Sequence, residues 1–328
     1  MSASSGSVGG SAAAQRAFGL VGACSTGVVL AVQSRINGTL GARLDDALAA
    51  GVISFGLGLV VLLLATVALP TARRGVGALV HGVRGSGALR PWQCLGGVCG
   101  GYLVFTQGMA AGALGVAMFT VAVVAGQVST GLVVDRFGLG PAGPQRVTPT
   151  RLVGAVLAVL AVLVAVSAQL GGSRASWLVL LPALAGVGLG WQAAVNGRVK
   201  QTAGSAITAA ALNFAVGTVA LALAFAVELL VRGLPGPLPA EPWLYLGGFL
   251  GIFVIGGSVA LVRLTGVLLL SLGMIAGQLI GAVLLDVFLP TGAGIAGSTL
   301  LGVLLTLIAV AIAALPDRRG RPVTGLPR

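Results

Sequence analysis

Two stretches of this chain are written twice. Gln33, Asn37, Gly38, Ala47, Ala50, Phe55 and Gly58 return as Gln192, Asn196, Gly197, Ala206, Ala209, Phe214 and Gly217, each pair 159 residues apart. A second set returns after 151 residues. Pro91-Trp92, Leu95-Gly96-Gly97, Gly100, Gly115-Val116, Ala125-Gly126-Gln127, Asp135 and Phe137 match Pro242-Trp243, Leu246-Gly247-Gly248, Gly251, Gly266-Val267, Ala276-Gly277-Gln278, Asp286 and Phe288. Chance does not give an ungapped match of that length, so the chain is a duplicated unit. Hydrophobic residues make up 57% of it and charged residues 8%, with a mean hydropathy of +1.06. A soluble domain carries about 25% charged residues, so this chain has no normal wet surface and is an integral membrane protein. Duplication in such a chain points to transporter architecture.

The net charge of +12 would suggest nucleic acid in a soluble protein. Here the arginines fall in short loops and the tail, where they act as orientation signals, and no basic folded surface remains to bind nucleic acid. Cys24, Cys94 and Cys99 lie in apolar stretches without metal-ligand spacing and read as packing residues. His81 stands beside arginines and has no acidic neighbour. Neither a metal cluster, a nucleophile with a base, nor a paired intramembrane carboxylate is legible, so an enzyme is not expected and no cofactor is implied.

Ten stretches have the ~20 apolar residues that a membrane helix needs. They cover about 17–35, 47–69, 91–111, 113–134, 151–170, 176–195, 206–230, 242–262, 265–286 and 292–315. The expected organisation is a disordered tail over 1–15, a five-helix repeat over 16–172, a second over 173–316, and a basic tail over 317–328. The first span is not a cleaved signal, because its copy, the sixth, lies mid-chain. Alternating spans put fifteen Arg and Lys on one side (Arg16, Arg73, Arg74, Arg84, Arg90, Arg136, Arg146, Arg151, Arg198, Lys200, Arg263, Arg318, Arg319, Arg321, Arg328) and only Arg35, Arg43, Arg174 and Arg232 on the other. The richer side is expected to be cytoplasmic, with both termini inside. Five spans per copy is an odd number, so the expected fold class is all-α, ten transmembrane helices in two inverted five-helix repeats. Such halves can exchange conformations and so turn an outward-open cavity into an inward-open one.

Charge at the bilayer centre costs roughly 2.5–3.5 kcal/mol even on the lenient scale, and no charged residue is expected mid-span. Arg35 and Arg263 are read as span-edge residues, Asp135 and Asp286 as span ends, and Glu228 as near one. These three carboxylates are the coupling candidates, although boundary carboxylates also simply anchor helix ends. What remains at depth is amide and hydroxyl. Gln127 and Gln278 lie eight residues before Asp135 and Asp286, about 12 Å from the boundary, and are expected to face each other across the symmetry axis. They either line a cavity or lock helices together. Gln33 and Asn37, like Gln192 and Asn196, share a helix face, and Gly38 and Gly197 suggest left-handed helix ends just after them. Ser54 and Asn213, expected to open the following spans, complete the candidate cluster, with Tyr102, Gln107 and Trp191 at cavity depth. The Gly96/Gly100, Gly97/Gly101, Gly186/Gly190 and Gly247/Gly251 pairs read as seams for close helix contact, and Trp92 and Trp243 as interfacial anchors.

With its doubled Gln-x-x-x-Asn-Gly element, each followed by a Ser/Asn-Phe-x-x-Gly helix, the chain resembles the YdcZ-like branch of the drug/metabolite transporter superfamily over about residues 16–315. That resemblance implies a helical transporter of a bacterial cytoplasmic membrane, often an exporter of metabolites or xenobiotics. It also implies that the first four helices of each half line a central cavity, the fifth and tenth lying peripherally. Gln33, Asn37, Gln127, Gln192, Asn196 and Gln278 would then fall on cavity-side helices. The expected function is alternating-access transport, most simply export, of a small polar or amphipathic solute. Recognition by amides favours neutral or zwitterionic substrates. The expected partners are that small molecule and the lipid bilayer, with no nucleic acid; a homodimer stays open. The competing reading is a non-transporting scaffold or partner subunit whose amides serve packing alone.

Overall fold

The computed structural model describes residues 6–141, 143–144, 147–167, 176–290 and 295–315. Expectations for the extreme N-terminus, the basic tail, Arg146 and Arg174 fall outside them. All regular structure among the described residues is helical. The first half comprises α1 (Gly6–Leu44), α2 (Ala47–Ala68), α3 (Pro70–Arg84), α4 (Gly96–Thr106), a π-helical turn (Gln107–Ala111), α5 (Gly112–Leu114), α6 (Val116–Arg136) and α7 (Pro149–Ser167). The second comprises α8 (Leu180–Ala203), α9 (Ala206–Arg232), α10 (Gly247–Phe288) and α11 (Gly297–Ala313).

Among the described residues, eight segments have the length and apolarity to cross a membrane, and Pro242–Gly257 and Gly297–Ala313 are shorter apolar helices. The expected eighth and ninth spans both fall within α10, as Pro242–Gly257 (with the turn before the helix) and Leu270–Phe288. Helical backbone is continuous over the 42 residues of α10, yet α10 folds back along α1: Gly251, Gly257 and Leu261 meet Gln33, Thr26 and Gly22, and Gly273, Gly277 and Gly281 then meet Ala23, Cys24 and Val28 in the opposite direction. In the first copy the equivalent run is interrupted, by the π turn and then by Gly115, whose φ of 79° and ψ of 154° lie in a region open essentially to glycine alone.

Helix ends follow local chemistry. Asp46 and Ser205 accept from Ala49 and Thr208 N–H and so start α2 and α9. Gly38 and Gly197 do not end helices as expected. α1 continues to Leu44 and α8 to Ala203, and the left-handed cap sits at Gly204 (φ 61°). Gly38 is small for another reason: a Cβ there would lie 3.1 Å from the Ala111 Cβ. The longer α1 also moves Arg35 off the expected span edge to a buried position within the helix. The loop expected over Pro70–Arg90 contains an amphipathic helix, α3, held on the ends of α8 and α9 by the Thr208 hydroxyl, which donates to the Ala72 carbonyl at 2.9 Å.

The halves interlock through glycines. A Cβ on Gly97 would stand 2.0 Å from the Asn213 carbonyl oxygen, and one on Gly248 2.0 Å from that of Ser54. Gly126 meets the Ala183 carbonyl and Gly277 that of Cys24; Gly186 meets Val123 and Gly27 meets Met274. Each contact has its mate in the other copy, the reciprocity that a two-fold relation requires. Gly154 against Ala309 and Gly302 against Ala161 extend it to α7 and α11, in a register of 148 residues that the sequence comparison did not reveal. Only at contacts this close do the small-residue seams become obligatory.

Candidate functional site

At the centre of the inter-half contact, Phe55 and Phe214 stack with centroids 4.7 Å apart. Each follows a polar residue, Ser54 and Asn213, two turns into α2 and α9 rather than at their starts. In the second copy the Asn213 Oδ1 accepts from Asn196 Nδ2 (2.9 Å) and Gln192 Nε2 (3.1 Å). In the first copy Ser54 offers no amide. There Asn37 Nδ2 donates instead to Gln107 Oε1 on the π turn (2.7 Å), and Gln107 Nε2 donates to Ser34 Oγ (2.9 Å). Across the seam, Asn37 Oδ1 and Ser54 Oγ face the Gly247 Cα, and Asn196 Oδ1 faces that of Gly96. Asn37 Oδ1, Ser54 Oγ and Gln192 Oε1 are buried without a hydrogen-bond partner. Gln33 is buried with its amide against Gly251. Six of the expected residues thus gather in two amide clusters, with Gln33 beside them. Ser34, read from sequence as nothing in particular, belongs with them.

The other candidates lie elsewhere. Trp191 stacks on Trp92 at 6.3 Å and Tyr102 contacts Phe105. Glu228 pairs along its own helix with Arg232, at 2.8 Å. Gln127 and Gln278 are half-buried on α6 and α10 and join neither cluster.

Those two helices form the most asymmetric part of the molecule. At one end of their seam Val116, Ala117 and Val121 of α6 pack against Leu279 and Ala282 of α10 with no exposure. Asp286 closes that end: its Oδ1 and Oδ2 accept from Val116 and Ala117 N–H at 3.0 and 2.7 Å, filling donors that a helix start leaves free. Arg35 lies 3.8 Å from the same carboxylate and donates to the Leu285 carbonyl. At the opposite end the seam is open. A cavity of about 410 Å³ is lined there by Val128, Gly131 and Leu132 of α6, by Ser271, Leu272 and Ile275 of α10, and by Thr148 and Arg151. Their mates at the closed end, 151 residues away, include Thr120, Val121, Val124, Leu279 and Ala282, all fully buried. Asp135, the mate of Asp286, caps no helix among the described residues and pairs with Arg151 beside the cavity.

A second cavity of about 510 Å³, reaching Leu20 and Cys24, shares Leu272, Val310, Ala314 and Leu315 with the first. A third, about 420 Å³, lies by Thr71, Ser205 and Ile255. All three open at one end of the bundle. Arg198 near the end of α8 donates to the Leu139 and Gly138 carbonyls after α6, while Thr208 joins the start of α9 to α3. Volumes of this size suit a small molecule, and the walls are mainly apolar with a few polar groups.

A bundle of membrane-length helices, joined through two related halves and holding a one-sided cavity, is the build of a membrane transport protein. The chain belongs to the YdcZ family of DMT proteins, described as "Putative inner membrane exporter, YdcZ", whose model matches residues 18–164 and 177–312. Those two segments follow the two copies of the repeat. Among solved structures, one crystal structure matches with a TM-score of 0.52 at 19% identity, covering 92% of this chain and 96% of the other. At that identity the likeness speaks for the fold alone. Nothing among curated proteins matches.

Proposed function

We propose that the protein is a secondary transporter that exports a small amphipathic or neutral polar solute by alternating access. Its two halves would insert with opposite orientation and both termini would lie in the cytoplasm. The observation that carries this reading is the asymmetry of the α6–α10 seam, where matched sequence is packed shut at one end and open over about 410 Å³ at the other. Two related halves in different conformations are what alternating access requires. By the charge count the open end is cytoplasmic, so the state described is inward-open.

Gln127 shares a face with Gly131, four residues on, and Gln278 with Ile275 and Ser271, three and seven residues back. In this reading they form the floor of the cavity and hold the solute's polar end, while Val128, Leu132, Leu272 and Ile275 receive its apolar part. The amide clusters around Phe55 and Phe214 each tie helices within one half, at the contact between the halves. Protein reconstituted in liposomes and screened against a metabolite and drug panel should show counterflow. Gln127→Leu or Gln278→Leu should abolish it while the protein stays folded. Counterflow unchanged in both variants would remove the amides from the site, and no flux over the panel would favour the scaffold reading.

A further inference from the structure

The repeat offset falls from 159 residues at Gly58/Gly217 to 151 at Pro91/Pro242, so the first copy is eight residues longer between these positions. There it builds α3, whereas the second copy runs without a helix from Gly233 to Glu241. The packed face of α3 lies across the turn between α8 and α9. A Cβ on Gly75 would stand 2.9 Å from the Ala203 carbonyl oxygen, and one on Gly82 2.7 Å from Thr202 Cγ2. Leu79 shares a core cluster with Val199, Ala203 and Ala209. A helix seated along its length on one interhelical turn lies along the end of the bundle. Since α8 and α9 fall in two membrane-length segments, that end is at the membrane surface.

The outward side of α3 carries a pattern. Arg73, Val76, Val80 and Arg84 follow one another at spacings of three, four and four, and so form one stripe along the helix. All four are exposed, the valines by 43% and 50%. Arg74 and His81 run beside the stripe, and exposed Lys200 follows Val199 at the same end. Among the described residues no carboxylate pairs with these bases. Glu228 and Glu241 hold Arg232 and Arg43 at the other end of α2 and α9, where Asp45 and Asp46 also act on Arg232. Asp135 and Asp286 are taken by Arg151 and Arg35.

We propose that α3 is a docking surface for anionic phospholipid headgroups in the leaflet at its end of the bundle, the cytoplasmic one by the charge count. Val76 and Val80 enter the top of the acyl region. Arg73 and Arg84 reach the phosphates from either side, their stems lying along the valines. Charge left unpaired by protein attracts the headgroups, and an apolar centre between two cations selects an anion that carries a lipid tail. Lipid held there braces the α8–α9 turn through α3. The surface is separate from the cavities and does not depend on the transport reading.

The test titrates the full-length protein, in a neutral detergent, with phosphatidylglycerol and counts bound lipid by native mass spectrometry. Phosphatidylcholine at the same concentrations should not be retained, and glycerol phosphate should not compete. A basic side chain near an anionic surface is worth about fivefold in affinity, so Arg73→Gln with Arg84→Gln should weaken binding about 25-fold. Arg73→Lys with Arg84→Lys should keep most of it. Val76→Ser with Val80→Ser should weaken it severalfold, through lost apolar burial. Arg43→Gln with Arg232→Gln removes the same charge from the other end and should leave binding unchanged. All six side chains are exposed, so the variants should fold; if the glutamine pair on α3 does not, the lysine and serine pairs decide. Equal losses in the two glutamine pairs would mean net charge without a site and overturn the proposal, as would equal retention of the two lipids. Wild-type binding by the serine pair, or full competition by glycerol phosphate, would assign the arginines to a soluble anion and overturn it as well.

Discussion

The seam between α4 and α9 offers the cleanest test of how the halves are joined. Gly97→Ala places a Cβ 2.0 Å from the Asn213 carbonyl oxygen, more than 1 Å short of the 3.4 Å at which contact becomes ordinary. The obstacle is helix backbone on both sides, so no side-chain rotation relieves it. α4 and α9 must separate, and a gap of 0.5–1 Å already forfeits a quarter to a half of the dispersion energy of the facing atoms. Overpacking of this kind costs about 1–3 kcal/mol, less up to ~1 kcal/mol that alanine returns through helix propensity. Gly248→Ala meets the Ser54 carbonyl at the same 2.0 Å and should cost the same. Gly56→Ala is the control: nothing lies within 4 Å of its Cβ position, so it should be neutral or slightly stabilising. Thermal unfolding in detergent, followed by the loss of monodisperse protein on size exclusion, reads the three side by side. A few degrees should separate the first two from the control, at about 2–4 °C per kcal/mol. If Gly97→Ala melts with Gly56→Ala, the backbone contact is not there. If Gly97→Ala and Gly248→Ala differ widely, the two-fold relation fails at this seam.

Two further outcomes are expected. A double-mutant cycle on Asn37→Leu and Gln107→Leu should give a coupling of about 0.6–1.7 kcal/mol in unfolding, the range of interhelical polar pairs in membranes; additive losses would mean that the 2.7 Å bond contributes nothing. In a cysteine-free background, cysteine at exposed Ala240 should be labelled by an impermeant maleimide applied outside cells, and cysteine at Ser86 should not; the reverse pattern would overturn the orientation drawn from the charge count.

Much of the architecture was legible because the repeat constrains packing as well as ancestry. The doubled glycines at 97/248 and 126/277 are doubled contacts, and the pairing of Gln192 and Asn196 on one face holds in the structure. What stayed hidden is what two copies of one sequence do differently. Nothing in Gly115-Val116 says that the N–H groups freed after Gly115 are met by Asp286 arriving from the other half. Gln107 reads as one more buried amide until the replacement of an amide by the Ser54 hydroxyl sends Asn37 to it. α3 was missed for a different reason. Five glycines and alanines among its polar residues look like loop, and only the recurrence of Ala72, Gly75, Leu79 and Gly82 on one face betrays the helix. Gly38 and Gly197 mislead because a glycine needed for close approach has the same letter as one needed for a left-handed cap.

The residues without mates carry the remaining information. If matched parts exchange roles, the energy of the two states differs only through positions where the copies disagree. Arg35, which sits against Asp286 in the closed end, has Ala194 as its counterpart. Arg151, which pairs with Asp135, has Thr299 opposite it in the α7–α11 register. Both arginines stabilise the conformation described here, one beside buried Asp286 and the other on Asp135 next to the cavity. A pair near a protein surface is worth at most a few kcal/mol after solvation, and an exposed one typically less than 1 kcal/mol. That is the scale on which a two-state equilibrium is biased without being fixed. An exporter that rests open toward its source of solute needs a bias of that size and no larger. A much stronger one would hold the loaded carrier shut to the outside, and none at all would leave the empty carrier facing both ways equally.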